Sequence, residues 1–471
     1  MTSTGDQAAP TEATRYDLVV VGSGPAGQKA AIASAKLGKK VAVIDRREMV
    51  GGACLHTGTI PSKTLREAIL YLTGFREKSF YGRDYAVSHE ITAADLAFRV
   101  QKVLEREMEV VRTQFARNGV LLVPGSARFV DAHTLEATSA GETVRLTGDH
   151  VLIACGTRPA RTPTVPIDGQ RILDSDQLVG VKTLPRAIIV VGAGIVGLEY
   201  ASMLSALHIQ VTVIEARPTV LDIVDRELVD CLTYFMRARR AVFRLGERLV
   251  SVDTQNSRVV ARLASGKEVH ADALLYAVGR QTNADLLDLA AAGLSADSRG
   301  RIAVNEVYQT AVPHIYAAGD VIGFPALAST SMEQGRLAAC HMFGHAIDHR
   351  AETIPYGVYT IPEIAMVGKT EAELTEAGTP YEIGISRFEE LAKGQMLGVE
   401  TGLLKILFDP ATHKLLGVHI FGERATEIIH IGQAVLALGG TIEYFRDSVF
   451  NYPTMAEAYK VAGLDALNRL R

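Results

Sequence analysis

Two glycine-rich β-α-β units of matching spacing, and a switch to strand-rich patterning from Ile354 onward, predict the fold class. It is α/β, with two Rossmann-like dinucleotide-binding domains and a C-terminal α+β domain. The first unit opens on the apolar run Tyr16–Gly22, which has the composition of a buried parallel strand. Ser23-Gly24-Pro25-Ala26-Gly27 turns the chain, and the Ala-rich stretch Gln28–Leu37 predicts a helix stopped by Gly38. Lys40–Ile44 is a second strand, ending at Asp45 with Arg46 after it. The second unit repeats the plan. Strand Ala187–Val191 leads into Gly192-Ala193-Gly194-Ile195-Val196-Gly197, a helix from Leu198 to Leu207, and strand Gln210–Ile214 ending at Glu215. Glycines at 22, 24 and 27 with an acid at 45 match glycines at 192, 194 and 197 with an acid at 215. This is a duplicated domain, not a solenoid repeat.

Between the units, Ile91–Asn118 reads as a long amphipathic helix, and Gly119–Val130 and Thr134–Leu146 read as strands of a small sheet. Residues 331–345 read as a helix that packs on the first domain. The C-terminal module has strands at Tyr356–Tyr359, Ile364–Gly368, Leu403–Phe408 and Lys414–Ile420, then helices at Thr426–Leu438 and Thr454–Leu470. A linker is expected near residues 346–353. The polar stretch 1–14 reads as a loose tail.

At 471 residues, the chain has room for two to four domains. A hydrophobic fraction of 48% with 22% charged residues excludes disorder across the chain. Forty-nine basic against 53 acidic side chains argue against a partner held by bulk positive charge, so no nucleic acid is expected. Ile428–Ile442 is too short and too interrupted to span a bilayer, so no membrane partner is expected either. Cys54, Cys155, Cys231 and Cys340 form no zinc-type cluster, so no metal is expected. So few thiols suit a reducing compartment, and the expected address is cytoplasmic. Cys155, Cys231 and Cys340 read as core fillers. His208, His314 and His430 lack ligand spacing.

Each G-x-G-x-x-G has a mechanical reading. The first glycine permits the tight turn, the second lets a pyrophosphate approach the backbone, and the third lets helix and strand pack closely. The helix N-terminus then presents unpaired N–H groups to the phosphates. Gly22, Gly24, Pro25, Ala26 and Gly27 form one such loop; Gly192, Gly194, Ile195 and Gly197 form the other. Asp45 and Glu215 each suit an adenosine ribose. Two dinucleotide sites on one chain point to an electron-carrier pair, a flavin and a nicotinamide.

The stretch Gly51-Gly52-Ala53-Cys54 … Gly58-Thr59-Ile60-Pro61-Ser62-Lys63 resembles the active-site helix of the flavoprotein disulfide reductases, the family of lipoamide dehydrogenase and glutathione reductase. Thr310–Val321 resembles that family's second flavin motif, which places Asp320 at the ribityl chain. Val151–Pro159 and Gly279–Asn283 resemble its connectors between flavin and nicotinamide domains. Phe450–Glu457 stands where the family carries its C-terminal histidine motif. The resemblance implies bound FAD, with Arg46, Gly52, Ala53, Lys63, Gly156 and Ala328 added to the flavin site and Gly279 to the nicotinamide site. It pairs Lys63 with Glu199 as the catalytic ion pair, where a cation tunes the flavin. It implies an FAD domain at 15–157 and 285–348, an NAD(P) domain at 158–284, and a homodimer formed through 349–471.

The departures carry the functional expectation. The family uses two cysteines four residues apart; here Cys54 is present, but Thr59 takes the second position. A threonine hydroxyl cannot form a disulfide. The family's histidine before proline is Tyr452 before Pro453, leaving Glu457 without that partner. What remains resembles the branch of the superfamily in which FAD carries hydride from NADPH to NAD⁺. Alternatives are a diaphorase or oxidase delivering electrons to quinone or oxygen, a lipoamide dehydrogenase-like protein without its redox disulfide, and a non-catalytic flavoprotein. Glu215 favours NAD(H) but repels a 2′-phosphate; Arg217 is the residue that offsets this for NADP(H). The cluster Arg237, Arg239 and Arg240 reads as a solvated helix face.

Overall fold

Strands Thr14–Val21 and Val41–Asp45 carry the unbroken apolar runs Leu18–Val21 and Val41–Ile44, and the structure explains why: both faces of their sheet are covered there. The computed structural model describes residues 14–82, 84–346 and 353–470, so most of the expected tail and the centre of the expected linker lie outside the described residues. The chain divides into two units. One draws on Met1–Pro61, Val100–Pro159 and Arg280–Arg350, the other on Ser62–Arg99, Ala160–Gly279 and Ala351–Arg471.

In the first unit, Leu121–Pro124, Val41–Asp45, Thr14–Val21 and Glu142–Ile153 lie side by side and parallel, with Ile315–Ala317 added beyond Glu142–Ile153. Thr134–Ser139 and Ser126–Phe129 extend the same sheet antiparallel. The separate small sheet expected for 119–146 is therefore corrected. Gly125, at φ +156, splits the first expected strand into Leu121–Pro124 and Ser126–Phe129. A tight turn at Ala140-Gly141 makes a hairpin of the second. Helix Pro25–Lys36 covers one sheet face, and helix Ala328–Met342 packs on it so closely that a Cβ on Gly335 would meet the Ala26 carbonyl at 2.1 Å.

In the second unit, Val242–Leu245, Gln210–Glu215, Ala187–Val191, Ala273–Tyr276 and Ile172–Asp174 form an all-parallel sheet. An antiparallel three-stranded sheet, Leu249–Gln255, Arg258–Leu263 and Glu268–Ala271, is inserted before Ala273–Tyr276 in sequence. The C-terminal segment adds an antiparallel sheet ordered Tyr356–Val358, Glu363–Gly368, Leu415–Gly422, Leu403–Phe408 and Glu382–Arg387. Helices Ala425–Ala437 and Glu457–Arg469 pack over it, burying Ile406, Phe408, Ile420, Phe445 and Tyr459. The last helix starts three residues later than Thr454. Pro453 therefore lies outside it, after a cis peptide from Tyr452, and Glu457 is its first residue.

Candidate active site

The two phosphate-type loops are built alike, atom for atom in several places. Gly22 has φ +100, and a Cβ there would stand 2.3 Å from the Ala154 carbonyl oxygen; a Cβ on Gly27 would stand 1.9 Å from the Gly22 oxygen. Gly192 and Gly197 repeat this, at 2.6 Å from the Ala277 oxygen and 2.0 Å from the Gly192 oxygen. Gly24 and Gly194 differ: each has extended backbone, caps the following helix, and would have nothing within 4 Å of an added Cβ. The outer glycines are required by the protein's own backbone. The middle ones leave an open concavity at a helix N-terminus, which fits a pyrophosphate.

The acids close these loops. Asp45 Oδ2 accepts from the Ser23 N–H at 2.7 Å and the Ser23 hydroxyl at 2.6 Å, while Oδ1 accepts from the Arg46 N–H. Ser23 Oγ in turn accepts from the Gly51 N–H at 2.9 Å, and a Cβ on Gly52 would meet Gly24 Cα at 2.8 Å. The Gly51-Gly52 turn, leading to Ala53 and Cys54 on helix Gly52–His56, is thus packed onto the first loop. Burial raises the Asp45 carboxyl above its ordinary range despite the hydrogen bonds from Ser23 and Arg46. Glu215 Oε2 accepts from the Ala193 N–H at 2.7 Å, the counterpart of the Ser23 bond. Burial works to raise Glu215 too, but the Arg217 side chain and the Ala193 and Arg217 N–H groups outweigh it and hold this carboxyl below its usual range.

Arg217 grips Glu215, with Nε 3.0 Å from Oε1 and Nη2 3.2 Å from Oε2, and its Nη1 is paired with Asp222. Asp222 escaped the sequence reading because nothing in its spacing marks it. Arg237, Arg239 and Arg240 are not part of this group. Arg239 stacks on Phe235, and Arg237 lies over Phe243; Arg239 and Arg240 lie with His208 beside Gln210, where the strand starts, whereas Glu215 ends it. An extended strand of that length separates the two by roughly 17 Å.

Lys63 lies one turn into helix Thr59–Leu72. Its Nζ is 2.7 Å from Glu199 Oε2 and 4.8 Å from the centre of the Tyr359 ring. Glu199, 4% exposed on helix Ile195–Ala206, also accepts from the Tyr359 N–H at 2.8 Å. Ser202, one turn on, accepts from the Ile361 N–H at 3.0 Å. The expected pair is assembled, and Tyr359 is a neighbour the sequence reading missed.

Asp320 begins a 3₁₀ turn and accepts from Thr157 Oγ1 at 3.0 Å; Arg280 Nε donates to the same hydroxyl. The Gly319 N–H donates to Gln334 on the helix that Ala328 opens. Gly156 and Gly279 both have positive φ with open space about them. Cys155 packs against the first unit's core, and burial pushes its thiol up to about 12. Cys155, Cys231 and Cys340 are all half-buried, so the expectation of core fillers is met only in part.

Cys54 and Thr59 sit on successive helices with no second cysteine beside them in sequence. Tyr452 is 71% exposed, and Glu457 Oε2 is buried with no hydrogen-bond partner among the described residues. The carboxylates Asp225, Glu227 and Glu371 lie close enough together to bind a cation. The Lys405 ammonium already occupies that place, 2.7 Å from Asp225, 3.2 Å from Glu227, and paired with Glu371.

Residues 16–335 match the family model "Pyridine nucleotide-disulphide oxidoreductase", and residues 354–462 match that family's dimerisation domain. A soluble pyridine nucleotide transhydrogenase of Mycobacterium bovis is 54% identical over 97% of this chain and 98% of its own length. The Erwinia tasmaniensis protein of the same name is 46% identical over 97% and 98%. Among solved structures, LpdA from Mycobacterium tuberculosis superposes with a TM-score of 0.89 at 28% identity, covering 97% of this chain and all of that one. The flavoprotein disulfide reductase RclA from Escherichia coli gives 0.86 at 26%, covering 95% and 99%. With both domain models matched and full-length relatives this similar, the chain belongs to the pyridine nucleotide-disulphide oxidoreductase family.

Proposed function

We propose that the chain is an FAD-dependent transhydrogenase acting on NADPH + NAD⁺ = NADP⁺ + NADH. The observation that carries this reading is a subtraction at an otherwise complete site. Both phosphate loops and the Lys63–Glu199 pair are present, while Thr59 and Tyr452 replace the groups that dithiol chemistry needs. The full-length relatives named as transhydrogenases support it.

FAD would be held by Gly22, Gly24, Pro25, Ala26 and Gly27 at its pyrophosphate, by Asp45 and Arg46 at its adenosine ribose, and by Gly52, Ala53, Gly156, Asp320 and Ala328 along the rest. The open space at Gly24 fits such a group. Bound there, the flavin supplies a two-electron acceptor and donor for hydride. The nicotinamide nucleotide would meet Gly192, Gly194, Ile195 and Gly197 at its pyrophosphate, Glu215 and Arg217 at its adenosine ribose, and Gly279 nearby. No protein group has to remove a proton from carbon, so the chain's work is binding and orientation. Glu199, itself held by the Tyr359 N–H, fixes the position of Lys63 Nζ. The dimerisation-domain match supports a homodimer. No helix among the described residues is long and apolar enough to cross a membrane. Four cysteines in 471 residues suit a reducing compartment, which supports a cytoplasmic address.

The deciding assay mixes holoenzyme, NADPH and a spectrally distinct NAD⁺ analogue with no dithiol or quinone present. Reduction of the analogue is expected. Bleaching of the flavin by NADPH without analogue reduction, with rapid quinone turnover instead, would overturn the reading in favour of a diaphorase.

A further inference from the structure

Glu215 has no acceptor capacity to spare. An ionised carboxylate offers about four lone-pair positions. Here Oε1 takes the Arg217 N–H and Nε, both at 3.0 Å, and Oε2 takes the Ala193 N–H at 2.7 Å and Arg217 Nη2 at 3.2 Å. A ribose 2′-hydroxyl can therefore hydrogen-bond to Glu215 only if the guanidinium moves aside. A 2′-phosphate imposes the same movement, since it needs the guanidinium for itself and is repelled by the Glu215 carboxylate. Either nucleotide thus requires Arg217 to leave its seat. Its side chain is 47% exposed and long enough to do so.

The destination for that movement is already present. Arg217 Nη1 is paired with Asp222, which is 43% exposed. Asp222 is held in place by the Thr219 hydroxyl at 2.6 Å, and the Arg217 backbone is pinned by the Gly246 N–H on its carbonyl at 3.0 Å. Only the guanidinium is free to choose among three acceptors: Glu215, Asp222 and the ligand. The trio Glu215, Arg217 and Asp222 carries a net charge of −1, so Asp222 also adds to the field that opposes a phosphate dianion.

We infer that Asp222 sets the balance between NAD(H) and NADP(H) by serving as the alternate seat for Arg217. With NAD(H), Asp222 receives the guanidinium that the 2′-hydroxyl displaces from Glu215. With NADP(H), it competes with the 2′-phosphate for that same guanidinium. The carboxylate therefore favours NAD(H) and disfavours NADP(H). This rests on the reading that the Glu215 end of the loop receives the adenosine ribose of the nicotinamide nucleotide.

The test measures equilibrium dissociation constants of NAD⁺ and NADP⁺ for the holoprotein by calorimetry, without turnover. In Asp222→Asn the ratio Kd(NADP⁺)/Kd(NAD⁺) is expected to fall about threefold to tenfold, the effect of one partly screened charge. Asp222→Glu should return it toward wild type, and Thr219→Val, which loosens Asp222, should move it the same way as the asparagine. Arg217→Gln should raise the ratio instead. A folded Asp222→Asn protein with an unmoved ratio, or one moved toward NAD⁺, overturns the inference and leaves the transhydrogenase reading standing. Wild-type protein that binds neither nucleotide overturns both.

Discussion

Lys63 and Glu199 show how one contact ties energetics to chemistry. Glu199 is nearly buried, and its charge is balanced by an ammonium at 2.7 Å and one backbone N–H. Lys63→Met strands that carboxylate, which should cost about 3 kcal/mol in thermal or denaturant unfolding of the holoprotein. It should also slow flavin reduction by NADPH about tenfold or more in stopped-flow. The Glu199→Gln, Lys63→Met double variant removes the stranded charge, so it should recover much of the stability but not the rate. The Lys63–Glu199 pair was legible in the sequence because its members sit at fixed offsets from recognisable motifs. Asp222 was not, because its meaning comes from where the loop after Glu215 folds back, and an aspartate in a polar loop carries no local mark. Cys155 makes a second residue-scale expectation: with its thiol pushed up to about 12, it should resist alkylation at pH 8 under conditions that label exposed thiols.

At the scale of elements, strand Leu403–Phe408 carries an inward-facing lysine in an otherwise apolar run. Lys405 reaches Asp225, the N-cap of helix Arg226–Ala238, and Glu371 at the start of helix Glu371–Glu376. Burial alone would lower this ammonium's pKa. The Asp225 and Glu371 carboxylates outweigh burial and raise it above the ordinary 10.5. A cation whose folded pKa exceeds its unfolded one adds stability that is complete below the unfolded value and is lost as pH rises through the folded value. Lys405→Met should therefore destabilise the protein by about 3–5 kcal/mol at neutral pH. The gap to wild type should narrow only in titrations carried above pH 10.5. Composition marked this strand correctly, yet a lysine amid LLKILF gave no sign of its three acidic partners, which lie at least thirty positions away in sequence. Similarly, Gly125 and Ala140-Gly141 divided two expected strands, because a glycine inside an extended pattern reads as tolerated until its φ is known.

For the whole molecule, the missing thiol partner sets an electron count. A disulfide reductase takes up two electrons in its dithiol and two in its flavin. With Thr59 in the second cysteine position, anaerobic titration with NADPH should end at one equivalent per flavin. An end point at two would reveal a second two-electron centre. The fold class was largely readable because it depends on short, repeated local signals: a strand, three glycines, a helix and an acid, twice over. The inserted sheet at 249–271 and the edge strand Glu382–Arg387 were not, since their pairing is decided by distant partners. Val449, 94% exposed, and Leu438, 86% exposed, follow the same logic on the outside. Val449→Asp combined with Leu438→Asp should shift the sedimentation coefficient toward that of a single chain.

The empty space beside Gly24 and Gly194 separates two fates that mutation usually couples. Their extended backbones accept an alanine, and nothing in the protein itself would collide with the added methyl. Both variants should accumulate in cells and, compared flavin-free with the flavin-free parent, melt within about 1 kcal/mol of it, as the change of one helix cap implies. A genetic screen that scores abundance would pass them as silent. Yet Gly24→Ala should emerge pale and Gly194→Ala yellow but indifferent to reduced nicotinamides, so that colour, not yield, exposes the lesion.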